Sequence, residues 1–160
     1  LHAHLYQLTV HCQVHKLTKP TGVISASIKG LILMAARSVD VYFENYLNYS
    51  LSLKQDSLKL DHGIWDVYPP QKIVQADSGT PGKGHWKTES DGFATGTEGS
   101  CTYAFYDAAA DQICYVNVHW DDPYAGSNKY DITTDSVNAK VSYSGGDGDN
   151  ASVTFKIEPR

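Results

Sequence analysis

Cys101-Thr102-Tyr103-Ala104-Phe105-Tyr106-Asp107-Ala108-Ala109-Ala110-Asp111-Gln112-Ile113-Cys114-Tyr115-Val116-Asn117-Val118-His119 decides the fold of this chain. Two runs, 101–106 and 113–119, alternate in polarity, and the short segment Asp107 to Gln112 between them carries two acids and no aromatic. A period of two is the signature of a strand with one buried face, so the stretch predicts a β-hairpin. Pairing Tyr106 with Ile113 puts Cys101, Tyr103, Phe105, Cys114, Val116 and Val118 on one side, a candidate core face. In that register Cys101 faces Val118 and not Cys114, so a disulfide between the two cysteines would need a slipped pairing.

Working outward, the same period recurs. Val39, Val41 and Phe43 share one face against Ser38, Asp40, Tyr42 and Glu44. Leu51 with Leu53, and Leu58 with Leu60, alternate with Ser52, Lys54, Ser57 and Lys59. Ile73 and Val74 read as a short edge piece. Two further strands are predicted over Ala139 to Ser144 and Ala151 to Ile157, joined by Gly145-Gly146-Asp147-Gly148-Asp149-Asn150. No stretch supports a helix of three turns. Eight or so short strands between turn clusters predict an all-β protein, a two-sheet antiparallel β-sandwich, because packing two sheets face to face buries such alternating faces.

Three stretches break the alternation and are predicted as ordered loops. Asp61-His62-Gly63-Ile64-Trp65-Asp66-Val67-Tyr68-Pro69-Pro70 ends in a proline pair that a central strand would not accept. Thr88-Glu89-Ser90-Asp91-Gly92-Phe93-Ala94-Thr95-Gly96-Thr97-Glu98-Gly99 is rich in glycine, hydroxyls and acids. It is expected to be a self-bonded clamp in which Glu89, Asp91 and Glu98 accept hydrogen bonds and Phe93 anchors the core. Trp120-Asp121-Asp122-Pro123-Tyr124-Ala125-Gly126-Ser127-Asn128-Lys129-Tyr130-Asp131 is the third.

Bulk properties narrow the function classes. The 160 residues carry a formal charge of -5, with 41% apolar and 19% charged residues, a globular composition. Residues 1–33 hold three lysines and no acid, which leaves -8 on residues 34–160. An acidic body argues against a nucleic-acid partner and against electrostatic docking on anionic lipid. The segment 1–33, with His2, His4, His11 and His15, is expected to be an atypical, poorly ordered leader; residues 34–160 form the predicted domain. Its histidines have no geometry to make them a metal site. Cys12, Cys101 and Cys114 show neither metal-type spacing nor a disulfide framework. No apolar run spans a bilayer and no clear secretory signal is recognisable, so the chain is expected to be soluble as made.

Catalytic arrangements lack a frame. His119 beside Asp121 and Asp122 offers acid/base groups, and Glu89 with Glu98 a carboxylate pair, but no strained nucleophile elbow is present. Asp147, Asp149 and Asn150 are hard oxygen donors without the terminal bidentate glutamate of a calcium loop. The expectation is no enzyme, no metal and no cofactor. Trp65, Trp86, Trp120, Tyr124 and Tyr130 fall in or beside the predicted loops, and amphipathic rings so placed suit a lipid headgroup layer or, alternatively, a sugar face in a lectin-like module.

Leu60-Asp61-His62-Gly63-Ile64-Trp65, then Thr88 to Gly99, then Trp120 to Asp131, and finally Gly145-Gly146-Asp147-Gly148-Asp149-Asn150-Ala151-Ser152-Val153-Thr154-Phe155 resemble, in order and spacing, the aegerolysin family. Within it the chain is most similar to the small component of binary Bacillus insecticidal crystal toxins. The resemblance covers about Ala36 to Glu158. It implies a β-sandwich without enzymatic activity that recognises target-membrane lipid, sphingolipids among the candidates, acts extracellularly and works with a second, larger toxin protein. It also implies that Trp65, Trp120, Asp121 and Tyr124 face lipid. Ala94 stands where the most similar members carry methionine.

Overall fold

Residues 37–160 are described by a computed structural model. The expected leader and its histidines lie outside the described residues. Eleven strands follow in order: β1 (Ser38–Asn45), β2 (Leu51–Leu53), β3 (Lys59–His62), β4 (Ile64–Val67), β5 (Lys72–Ile73), β6 (Gly82–Glu89), β7 (Thr97–Asp107), β8 (Gln112–Asp122), β9 (Lys129–Thr134), β10 (Ala139–Gly145) and β11 (Asn150–Pro159). One sheet runs β10-β11-β1-β6-β4, the other β5-β2-β7-β8-β9 with β3 also on β7. The fold is the expected all-β sandwich. Among the described residues no helix is long and apolar enough to cross a membrane.

The hairpin has the predicted register. Tyr106 pairs Ile113 and Cys101 pairs Val118, and both cysteines are buried and free. Its inward face, Cys101, Tyr103, Phe105, Cys114, Val116 and Val118, meets Val39, Val41 and Phe43 of β1 together with Val153, Phe155 and Ile157 of β11 in a single core. The sheets depart from pure antiparallel pairing at one place: β1 lies parallel to β11 and antiparallel to β6. That makes β1 a central strand, and its inward-facing Val39, Val41 and Phe43 are fully buried.

The predicted loops are shorter than expected, because strands extend into them. Asp61 to Pro70 contains the end of β3, a corner at Gly63 and β4. Thr88 to Gly99 reduces to a loop over 90–96. Trp120 to Asp131 reduces to Pro123 to Asn128, since β8 runs to Asp122 and β9 begins at Lys129. These loops converge. Ser38 pairs both Asn150 and Glu89, Ile64 pairs Glu89, Thr97 pairs Asp122 and Asp121 pairs Lys129. One end of the sandwich therefore collects the Gly63 corner, loop 90–96, loop 123–128 and the Gly146 to Asp149 turn.

Candidate functional site

Strand alternation decides which side chains reach the surface at this end. Along β8, Cys114, Val116, Val118, Trp120 and Asp122 point inward, while His119 and Asp121 point outward. Trp120, expected to face lipid, is instead fully buried. Its indole Nε1 donates to Thr88 Oγ1 at 3.0 Å, joining one sheet to the other. It sits in a run of rings that reaches from the surface to the core. Tyr68 stacks on Trp65 (5.2 Å), Trp65 meets Trp120 edge-on (5.7 Å), Trp120 packs on Trp86 (5.9 Å) and Trp86 on Tyr103 (6.4 Å). Trp65 is half-buried at the outer end of this run, beside exposed Tyr68. Trp86 belongs to the core and not to a loop.

Phe93 is a second correction. In place of the expected core anchor stands a ring that is 89% exposed at the tip of loop 90–96. Gly92 (φ 105°) and Ala94 (φ 58°) flank it in positive-φ backbone, which turns the phenylalanine outward. The loop does bond to itself and to its base: Thr95 Oγ1 donates to the Gly92 carbonyl, Ser90 N–H to the Arg37 carbonyl, and Arg37 N–H to Ser90 Oγ. The acids assigned to the clamp act differently. Asp91 is exposed, Glu89 pairs with Lys87 at the end of β6, and Glu98 turns to the outer face of β7.

Asp121 and Tyr124 do come together. With His62, Gly96, Thr97, Glu98 and Pro123 they line a surface groove of about 280 Å³. Glu98 and Asp121 are cross-strand partners on the outer face, so two carboxylates stand side by side. His62 Nδ1 and His119 Nε2 each lie 3.2 Å from a different Glu98 oxygen. An ionised carboxylate only accepts, so each nitrogen carries the proton in these contacts. The His119 hydrogen bond, with that of His62, outweighs partial burial and holds the Glu98 carboxyl below its usual range. Asp121 is mostly covered and lies 3.7 Å from exposed Lys129 Nζ. Tyr124 is 46% exposed. A Cβ on Gly96 would lie 2.4 Å from the Asp122 carbonyl, so only glycine lets loop 90–96 pass this close to loop 123–128. Neither Glu98 nor His62 was expected in the groove. The signal that could have found them is the register of the hairpin, which carries Glu98 opposite Asp121 once both strands are extended.

Arg37 ties the end of β8 and loop 123–128 to the Gly146 to Asp149 turn. Its guanidinium contacts Asp122 Oδ1 (3.4 Å), pairs with Asp149 and donates to the Tyr124 carbonyl (2.8 Å), with its centre 6.0 Å from the Tyr124 ring centroid. Asp122 is wholly buried and its Oδ2 has no hydrogen-bond partner among the described residues. Burial, helped by nearby Asp149 and Asp121 and opposed by Arg37, pushes its carboxyl up to about 6. A native carboxyl raised above its unfolded value adds stability that is complete below the unfolded pKa and lost as pH rises through the native one. Asp122 is thus expected to contribute at most about 3 kcal/mol at pH 3.5, falling away between pH 4 and pH 7. Denaturant midpoints should decline over that window in the wild type and stay flatter in Asp122→Asn. Glu98 has the opposite sign, its contribution being lost only as pH falls through its lowered native value. A second, larger cleft of about 480 Å³ is lined by Arg37 itself with Asn128, Tyr130, Tyr143, Asp147 and Asp149 among others. Asn128 Nδ2 donates to the Gly146 and Gly148 carbonyls and Tyr130 to Gly146, which fixes the turn. Among the described residues no group of three or more His, Cys, Asp or Glu side chains is arranged to hold a metal ion.

The fold is similar to that of RahU, solved in complex with a TRIS molecule: TM-score 0.55, 19% identity, covering 79% of this chain and 98% of RahU. No curated protein matches the sequence. The model of the aegerolysin family matches residues 37–159, which include all eleven strands and the groove. The chain belongs to the aegerolysin family, whose members are lipid-binding, membrane-interacting proteins.

Proposed function

We propose that the groove between His62, Glu98, Asp121 and Tyr124 binds the cationic end of a zwitterionic lipid headgroup, a choline or ethanolamine group. The observation that carries this is the pairing of an exposed ring, Tyr124, with two adjacent carboxylates in one concave site. An ammonium gains from both the ring quadrupole and the carboxylate charge, and a partly covered site strengthens each contribution. Sphingolipids that carry such headgroups fit this chemistry. Trp65 and Trp120 lie outside the groove lining and serve the site only as packing beneath β8.

Recognition of lipid from the extracellular side by a toxin component is the biological role we assign, with a larger protein completing membrane damage. Leakage of dye-loaded vesicles only when a second protein is added would support that step. The headgroup site is tested by amide-shift mapping with soluble phosphocholine and phosphoethanolamine. Shifts should concentrate at His62, Thr97, Glu98, Asp121 and Tyr124. Tyr124→Ala should weaken vesicle binding about five- to thirtyfold, the value of a partly desolvated cation–π contact. Shifts confined to other faces would overturn the assignment. The cleft beside Tyr143, with its exposed ring and Asp147 and Asp149, favours a sugar as the second candidate ligand, and a glycan array with inhibition by free sugar separates the two.

A further inference from the structure

Loop 90–96 forms one wall of the headgroup groove through Gly96 and, three residues earlier, presents Phe93 to solvent. Phe93 makes no ring pair among the described residues, in contrast to the buried aromatics of the core. The loop is nonetheless ordered by its own hydrogen bonds, and it holds a non-glycine residue, Ala94, in left-handed backbone to keep this shape. Tyr124 and Ile64, each 46% exposed, lie at the same end of the sandwich. We infer that Phe93 is a membrane wedge: when a headgroup occupies the groove, the phenylalanine enters the acyl region of the same leaflet.

This rests on the headgroup reading, and the chemistry of the surroundings selects the membrane. Asp91 beside the wedge, with Glu98, Asp121, Asp147 and Asp149 on the neighbouring loops and strand ends, gives this end an acidic fringe that Arg37 and Lys129 do not balance. An anionic leaflet would repel it, whereas a zwitterionic one offers its cationic groups at the depth of the groove and hydrocarbon beneath. A lone exposed apolar residue is ordinary on a protein surface. What sets Phe93 apart is its place at the apex of a bonded loop that also walls the ligand groove.

Phosphatidylcholine vesicles with brominated acyl chains test the wedge, read by co-sedimentation and by fluorescence of the full chain carrying Phe93→Trp. Trp emission should shift to the blue and be quenched by the bromines far more than in the wild type, whose Trp86 and Trp120 are buried and whose half-buried Trp65, replaced by phenylalanine in both proteins, no longer contributes. Phe93→Ala should partition about tenfold more weakly, Phe93→Leu close to wild type, and both should show unchanged phosphocholine shifts in the groove. The inference is overturned if Phe93→Ala sediments like the wild type, or if the introduced tryptophan is unquenched while the protein sediments. Loss of phosphocholine shifts with quenching retained would instead sink the headgroup site and leave the wedge standing. Equal partitioning on wholly anionic vesicles would contradict the zwitterionic preference.

Discussion

Trp120→Ala is expected to lower folding stability by about 3–5 kcal/mol, the range for removing a large aromatic from a packed core. The indole is fully buried, touches Trp65 and Trp86, and supplies the hydrogen bond to Thr88 that ties β8 to β6. Its loss leaves a cavity between the sheets and a buried hydroxyl without its partner. Urea denaturation followed by fluorescence or circular dichroism measures the effect, and Trp120→Phe should recover part of it, since the ring contacts return but the Nε1 donor does not. Tyr124→Ala, by contrast, should change stability by less than about 1 kcal/mol, because its ring is half in solvent. The two aromatics flank Asp121 and Asp122 in one short motif, yet one holds the scaffold and the other, in the proposed site, meets the ligand. A binding defect in Trp120→Ala would therefore report unfolding, and only Tyr124→Ala isolates recognition.

Gly63→Ala is expected to cost about 3 kcal/mol or more. Gly63 sits at φ 94°, where the chain leaves β3 in one sheet for β4 in the other. A Cβ there would lie 2.3 Å from the Glu89 carbonyl oxygen and 2.8 Å from Thr97 Oγ1, so backbone strain and a clash with main chain add together. Thr97 lines the groove and His62 precedes the corner, so the surviving folded fraction should also lose the 3.2 Å contact to Glu98. Gly148→Ala is the matched control. It has a similar φ of 86° but open space around the added carbon, so it should cost only about 1–2 kcal/mol. Comparing denaturation midpoints of the two variants separates conformational strain from the clash at the sheet crossover.

The alternation in the hairpin makes the core legible from residue types alone. Register, inward face and the free state of Cys101 and Cys114 all follow from a period of two over residues 101–119. The same period, carried three residues further, places Trp120 and Asp122 inside and Asp121 outside. The two acids and the following proline of Trp120-Asp121-Asp122-Pro123 are strong turn signals, and they mask this continuation of the strand. β6 is hidden differently. Its inward residues are Gly82, Gly84, Trp86 and Thr88, so the alternation is real but has little apolar contrast. Loop 90–96 misleads for a third reason. A phenylalanine among glycines and hydroxyls suggests a core anchor on hydrophobicity alone, and only the positive φ values on either side turn it out. The parallel pairing of β1 with β11 joins residues about 110 apart in sequence, a non-local contact that no local pattern encodes.

Of the lipid-facing residues expected from the sequence, Asp121 and Tyr124 share a groove, Trp65 lies outside its lining, packed on Trp120 and Tyr68, and Trp120 belongs to the interior. Glu98, assigned to a structural clamp, completes the carboxylate pair, and His62 and His119 orient it. The proposed site is thus built from cross-strand neighbours on the outer face of β7 and β8, with loops adding the ring and the proposed wedge. Strand-borne carboxylates are held more rigidly than loop-borne ones, which suits recognition of a small charged group.

The most direct test is co-sedimentation of the wild type and Asp121→Asn with vesicles of phosphatidylcholine, of sphingomyelin and of purely anionic phosphatidylglycerol. The wild type should pellet with the first two and not with the third, and Asp121→Asn should lose most of that binding while keeping its denaturation midpoint. Failure of the wild type to pellet with any of them, or equal pelleting by Asp121→Asn, would contradict the headgroup site.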